Sequence, residues 1–219
     1  MSALLLLAAF ALQPAPGPSL GEVIPGPKRY FHKGEEQSGC PALTAKCRRA
    51  GYLVPGDRIV VWERRGALTH VEFVSAKGVH SEGWIETVGL KTVPLTAAPL
   101  VAWQGDWGAV SGHLTITRSP RAGRLLVTGF AMWRQNDGEI AGEILPTKNY
   151  AAFATGDLDE PGGVIVPDGM GGSSKSFPFT APGEDRCRVE MWLRLPYLVV
   201  VDQGRCGGLN VSFSGVYRK

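Results

Sequence analysis

The chain has 219 residues, a net charge of +3 and 44% hydrophobic residues, with Lys, Arg, Asp and Glu interspersed along it. That length is enough for one large domain or two small ones, and the weak, mixed charge excludes an obvious nucleic-acid face. Glycine (29) and proline (16) are both above average, which suits many turns joining short strands.

The chain opens on MSALLLLAAFALQPAPGPSLGE. The apolar run Ala3–Leu12 is too short to cross a bilayer as a helix. Its length fits the hydrophobic region of a secretory signal peptide, and Ala9-Phe10-Ala11 places small residues at cleavage spacing. Pro14, Pro16 and Pro18 follow and would break a buried helix. Residues 1–15 are therefore expected to be a signal peptide cut near Ala11, which predicts a periplasmic or secreted protein with no membrane span after cleavage. A polar, proline-containing lead-in runs on to about Lys28.

Short runs rich in β-branched and aromatic residues then recur. DRIVVWER, THVEFVSA and EGWIETV come first; GHLTITR, RLLVTGFAMW, RVEMWLRL, YLVVVD and NVSFSGVY follow. Pro55-Gly56-Asp57, Asn136-Asp137-Gly138 and Gly204 read as turns between them. Helical periodicity is absent, so the fold class is all-β. VPLTAAPLVA, with Pro94 and Pro99, reads as a linker or crossover. It divides a small barrel over residues 28–93 from a second antiparallel barrel or meander over residues 102–219. Strand alternation assigns Val60, Trp62, Val71 and Phe73 to the first interior.

The order AGYLVPGDRIVVWERRGALTHVEFVSAKGVHSEGWIETVGL resembles the bacterial SH3-like domain of exported proteins, over about residues 30–92. Gly83-Trp84-Ile85 is the most specific part of the likeness. The opening YFHKGEEQSGCPALTAKC departs from it by inserting a cysteine pair. The resemblance implies binding of peptides or cell-wall material, with Tyr30, Phe31, Tyr52 and Trp84 as aromatic candidates for a groove. The ending DQGRCGGLNVSFSGVYR is similar to the close of a domain in uncharacterised exported bacterial proteins.

The four cysteines allow three pairings; Cys40–Cys47 and Cys187–Cys206 are favoured because each pair stays within one segment. CRVEMWLRLPYLVVVDQGRC is nearly symmetric about Pro196-Tyr197, so a hairpin turning there brings Cys187 almost opposite Cys206. In the tail, Val211, Phe213, Gly215 and Tyr217 share one face, and Asn210, Ser212 and Ser214 share the other. That alternation predicts a closing strand with one face buried and one wet. Trp107 and Tyr217 are expected to meet where the first and last strands of the second segment pair.

Residues 155–176 read as a long glycine-rich loop. Asp157, Asp159 and Glu160 lack the spacing of a calcium loop, and GMGGSSKS does not fit a phosphate-cradling loop. No C-x-x-C or paired-histidine spacing implies a metal, no cofactor is implied, and no G-x-S-x-G marks a nucleophile. His32, His70, His80 and His113 each read as surface residues. The chain is thus expected to be an exported, non-catalytic binding protein of the bacterial envelope, with peptidoglycan or an envelope protein as partner. An inhibitor of a hydrolase such as a lysozyme or protease is the first alternative, and a cell-wall hydrolase the second.

Overall fold

A computed structural model describes residues 17–110 and 112–219; the expected signal peptide lies outside the described residues. The strands form two antiparallel sheets. The first holds β1 (Ser19–Val23), β2 (Arg29–His32), β3 (Arg48–Leu53), β4 (Arg58–Arg65), β5 (Leu68–Val74), β6 (His80–Glu86) and β7 (Leu90–Thr92). Its order is β3-β2-β6-β5-β4-β1-β7. The second holds β8 (Gly105–Gly108), β9 (Gly112–Arg118), β10 (Leu125–Trp133), β11 (Asn136–Ile144) and β12 (Tyr150–Gly156). It continues through β13 (Val164–Pro167), β14 (Ser173–Phe177), β15 (Cys187–Arg194), β16 (Tyr197–Asp202) and β17 (Gly215–Arg218). Its order is β11-β10-β9-β8-β17-β16-β15-β12-β14-β13.

The first sheet begins ahead of Lys28. β1 lies in the proline-containing lead-in and pairs with β4 on one side and β7 on the other. Proline density around SLGEV hides it in sequence; two neighbouring ladders supply its hydrogen bonds. The sheet curls over Val23, Phe31, Leu53, Ile59, Val61, Val71 and Ile85. Strand alternation from Val60 therefore picked the wrong phase of β4. Ile59 and Val61 face the interior, while Val60 packs outward in a second cluster with Trp62 at its border. A register shift between Val61 and Glu63 bulges the strand at Trp62. Val71 is interior, and Phe73 packs beside it half-buried.

The second sheet curls until its far strands meet. Trp103, Trp107, Leu114, Phe153, Phe213 and Tyr217 fill its interior. β17 pairs with β8 at Arg218 and Gly108, so the first and last strands of this sheet are neighbours, as Trp107 and Tyr217 predicted. On the opposite side β11 has no ladder to β12 or β14. That seam is closed by side chains: the Glu143 backbone N–H donates to Ser176 Oγ at 2.8 Å, and Phe153 packs directly on Gly142. The Glu143 carboxylate accepts bonds from Ser119 Oγ (2.5 Å) and Arg121, and lies 3.4 Å from Arg124. Burial pushes its pKa up, but Arg121 and Ser119 outweigh burial and hold it below the usual carboxylate range.

Several readings of the second segment change. Asn136-Asp137-Gly138 is not a turn: β10 and β11 turn at Arg134-Gln135, where Arg134 has φ 57°. Gly138 is a strand residue because the chain passes close by; a Cβ there would lie 2.5 Å from the Cys206 carbonyl oxygen. Residues 155–176 are not one loop but contain β13 and β14, an antiparallel hairpin. Glu160 there is bound by Arg186 at 2.6 Å. The 94–102 connection is tied down: Asn149 accepts from the Ala98 N–H (2.8 Å) and donates to the Thr96 carbonyl (2.7 Å). Its last residues form one helical turn, α1 (Leu100–Trp103), which sets Trp103 into the barrel.

The tail alternates as expected over residues 210–214, with Val211 and Phe213 buried and Asn210 and Ser214 exposed, but those residues form no strand; the strand itself, β17, is buried on both faces. Tyr217 enters the barrel, while Val216 packs against the first sheet. The same holds along β16, where Leu198 and Val200 face inward and Tyr197 and Val199 face the first sheet. Leu20, Val60 and Val74 meet them from β1, β4 and β5. This shared apolar layer explains the unbroken run YLVVV, since a strand covered on both sides needs no polar face. Polar groups pin the layer: Tyr197 Oη donates to the Arg58 carbonyl at 2.6 Å, and Arg194 Nε donates to the Pro18 carbonyl at 2.6 Å. Burial pushes the Tyr197 phenol up to about 12. Tyr197→Phe is expected to destabilise the protein by about 1–2 kcal/mol, because a buried carbonyl loses its donor. Urea denaturation checks this, and an unchanged midpoint would show that the phenol does not hold the sheets together.

Both disulfides form as paired in sequence, Cys40–Cys47 and Cys187–Cys206, and no cysteine is free. Cys206 lies just past the β15–β16 ladder, with its Cα 4.7 Å from that of Cys187. Such bonds persist in oxidising compartments.

Candidate functional site

Where the first sheet leaves the apolar layer, its outer face opens into a groove. Two tripeptides build the wall, His70-Val71-Glu72 on β5 and His80-Ser81-Glu82 on β6. Alternation puts each His and Glu on the same outer face. Antiparallel register sets Glu72 directly opposite Glu82. Two carboxylates facing each other repel, and each takes a histidine on the diagonal. His80 Nε2 lies 2.7 Å from Glu72 Oε1, and His70 Nε2 lies 3.2 Å from Glu82 Oε1. The other oxygen of Glu72 accepts a 3.0 Å bond from Trp62 Nε1, which fixes the indole at the groove wall. Glu72 is 7% exposed and is held by both partners.

The central cavity, of about 610 Å3, is walled by these residues and floored by Val201 and Val216 of the second sheet. It shares Glu63, His70 and Glu82 with an adjoining cavity of about 540 Å3 that ends at Arg65 and Trp84. On its other side it shares His80, Ala109 and Val216 with one of about 300 Å3 that ends at Arg218 and Lys219. Through these shared residues the three adjoin as one channel, with carboxylates at its centre and, beyond them, Arg65 paired with Glu35 at one side and Arg218 with Lys219 at the other.

The charges fix the local pH response. The Glu72 hydrogen bond raises the His80 pKa above its ordinary 6.5, against burial, which pulls it down. The His70 hydrogen bond, against burial, holds the Glu82 carboxyl below the usual carboxylate range. A histidine with a raised folded pKa stabilises the fold fully below its unfolded pKa of 6.5, and that contribution is lost as pH rises through the folded value. An NMR titration of the His80 ring is expected to show a midpoint above 6.5 that falls in Glu72→Gln. A wild-type midpoint at or below 6.5 would mean the pair does not form in solution.

The four aromatic residues expected to line one groove are not brought together. Phe31 is 3% exposed and belongs to the first interior, so it is not a groove residue. Tyr30 and Tyr52 face each other across β2 and β3, with ring centroids 5.7 Å apart, away from the channel. Each ring carries a cation, Tyr30 the Arg48 guanidinium at 3.5 Å and Tyr52 the Lys28 ammonium at 3.9 Å, and Tyr52 stays 45% exposed. Trp84 lines one end of the channel, but it is 6% exposed, with Arg65 lying 4.8 Å over its ring.

His70, His80 and Trp62 were not singled out as a group. The signal that finds them is the doubled His-x-Glu pattern, because two such tripeptides on paired strands cross their charges. His32 instead is buried, with Nδ1 2.9 Å from the Ala42 carbonyl oxygen, and His113 tilts against Phe130. Among the described residues, no three His, Cys, Asp or Glu side chains group as a metal site. Among them too, no hydroxyl or thiol is hydrogen-bonded to His70 or His80. The chain matches no protein-family model, no curated protein and no solved structure.

Proposed function

We propose that this protein is an exported, non-catalytic binding protein of the bacterial envelope that holds an extended peptide, free or carried on cell-wall material, in the channel between its two sheets. On this reading the first sheet is the SH3-like module, and its ligand surface is the outer face of β5 and β6. The observation that carries the reading is the channel itself: three cavities that adjoin through shared residues, with an apolar floor and a polar wall. Length suits a chain-like ligand, an apolar floor suits side chains, and a polar wall suits the amides of an extended backbone.

The test is retention on purified peptidoglycan and on immobilised envelope extract. Wild type is expected to be retained, and Ser214→Trp, which fills the channel from its exposed edge, to pass through. Passage of both proteins, or equal retention of both, would remove the channel from the account. The β13–β14 hairpin favours a second reading as a hydrolase inhibitor, since Ile165 and Met170 stand 66% and 70% exposed on it. Inhibition of lysozyme or a protease that survives Ser214→Trp but not Ile165→Asp would support it.

A further inference from the structure

We infer that the centre of the channel is an amine subsite: the peptide it holds presents a primary ammonium on a methylene stem, as lysine does, to Trp62, Glu63 and Glu82. The inference rests on the channel reading and specifies its ligand. Trp62 is the first reason. Glu72 holds its Nε1–H at 3.0 Å, so the indole is immobilised at the cavity wall before any ligand arrives. Tryptophan is the aromatic side chain best suited to receive a cation, and a fixed ring loses no rotamer freedom on binding.

Charge is the second reason. The central cavity is lined by Glu63, Glu72 and Glu82 and by no lysine or arginine. Glu63 gives only its Oε1 to Arg65, and Glu82 only its Oε1 to His70. Among the described residues, the Oε2 atom of each accepts no side-chain bond, and both side chains are about half exposed. They can therefore accept from an ammonium without breaking an existing pair. The cations of the flanking cavities are already engaged, Arg65 by Glu35 and Glu63 and Arg218 by the Val74 carbonyl, so none of them occupies the place of a ligand ammonium in the middle.

The floor is the third reason. Val201 and Val216 offer apolar surface to a stem of methylenes, which lysine buries while its head stays polar. An arginine head would match a planar fork, whereas these two oxygens come from different strands.

The experiment uses three blocked peptides, Ac-Ala-Lys-Ala-NH2, its norleucine analogue and its glutamate analogue, titrated into the whole protein by calorimetry. Norleucine keeps the stem and removes the charge. The lysine peptide is expected to bind at least 10-fold more tightly than the norleucine peptide, and the glutamate peptide more weakly than either. In Glu63→Gln/Glu82→Gln, whose exposed side chains leave the fold intact by circular dichroism, the lysine preference is expected to fall below 3-fold. Trp62→Leu is expected to weaken the lysine peptide more than the norleucine one. Equal binding of lysine and norleucine would overturn the amine subsite and leave the channel reading standing. A preference that persists in the double variant would overturn it too. Failure of all three peptides to bind at millimolar concentration would remove both.

Discussion

Replacing Phe153 with alanine is expected to lower stability by about 3–5 kcal/mol, among the largest losses from a single side chain in this fold. Phe153 is fully buried and sits on β12, at the one place where the barrel lacks a backbone ladder. Across the seam, β11 presents Gly142, and a Cβ there would lie 2.1 Å from Phe153 Cδ2. The ring thus occupies the space a side chain would take, and it joins the ends of the sheet by packing alone. Removing it leaves a cavity at a boundary with few other ties, chiefly the Glu143–Ser176 bond. The reciprocal change tests the geometry. Gly142→Ala is expected to destabilise on its own, because the ring must move. In the Phe153→Ala background the added methyl fills part of the void, so the double variant should be more stable than the sum of the two losses. Urea denaturation of the four proteins measures the coupling. Simple additivity would show that the two residues do not meet.

The second large effect belongs to Cys187–Cys206. This bond spans 19 residues of sequence, and closing such a loop in the unfolded chain is worth about 3 kcal/mol. Both half-cystines also sit in the barrel core, at 6% and 3% exposure, so their removal takes packing with it. Cys40–Cys47 spans only 7 residues, for about 2.5 kcal/mol, and its half-cystines, though also buried at 9% and 0% exposure, belong to none of the three apolar clusters. Guanidinium denaturation is therefore expected to show a larger fall for Cys187→Ala/Cys206→Ala than for Cys40→Ala/Cys47→Ala. The reverse order would mean that the tail of the chain is not held by this bond. The bond matters for the channel as well, because it anchors the segment that leads into Ser214 and Val216.

The candidate site was partly legible in the sequence and partly hidden for a definable reason. Trp84 was picked out and does line the channel, but Phe31 and the Tyr30–Tyr52 pair lie elsewhere. Aromatic identity does not say which side of a strand points outward. His70 and His80 are ordinary one at a time, and become a group only when β5 and β6 align Glu72 with Glu82. Register is a property of two strands, so a pass along the chain weighs each histidine alone.

What the amino-acid order determined by itself was local: an all-β chain, the strands β4, β5, β6, β9, β10, β15 and β16 nearly to the residue, and both disulfides. These follow from β-branched runs, turn residues and the symmetry of a hairpin about Pro196. Tertiary structure decided which faces are buried. Val60, Val199 and Val216 look like alternation errors until the two sheets are seen to share an apolar layer. Tertiary structure also decided that β1, β12, β13 and β14 are strands at all. Their sequences are short or rich in alanine, glycine and proline, and neighbouring ladders rather than propensity hold them extended. The channel exists only because one sheet stops covering the other at Trp62, a boundary set by packing and written in no single segment.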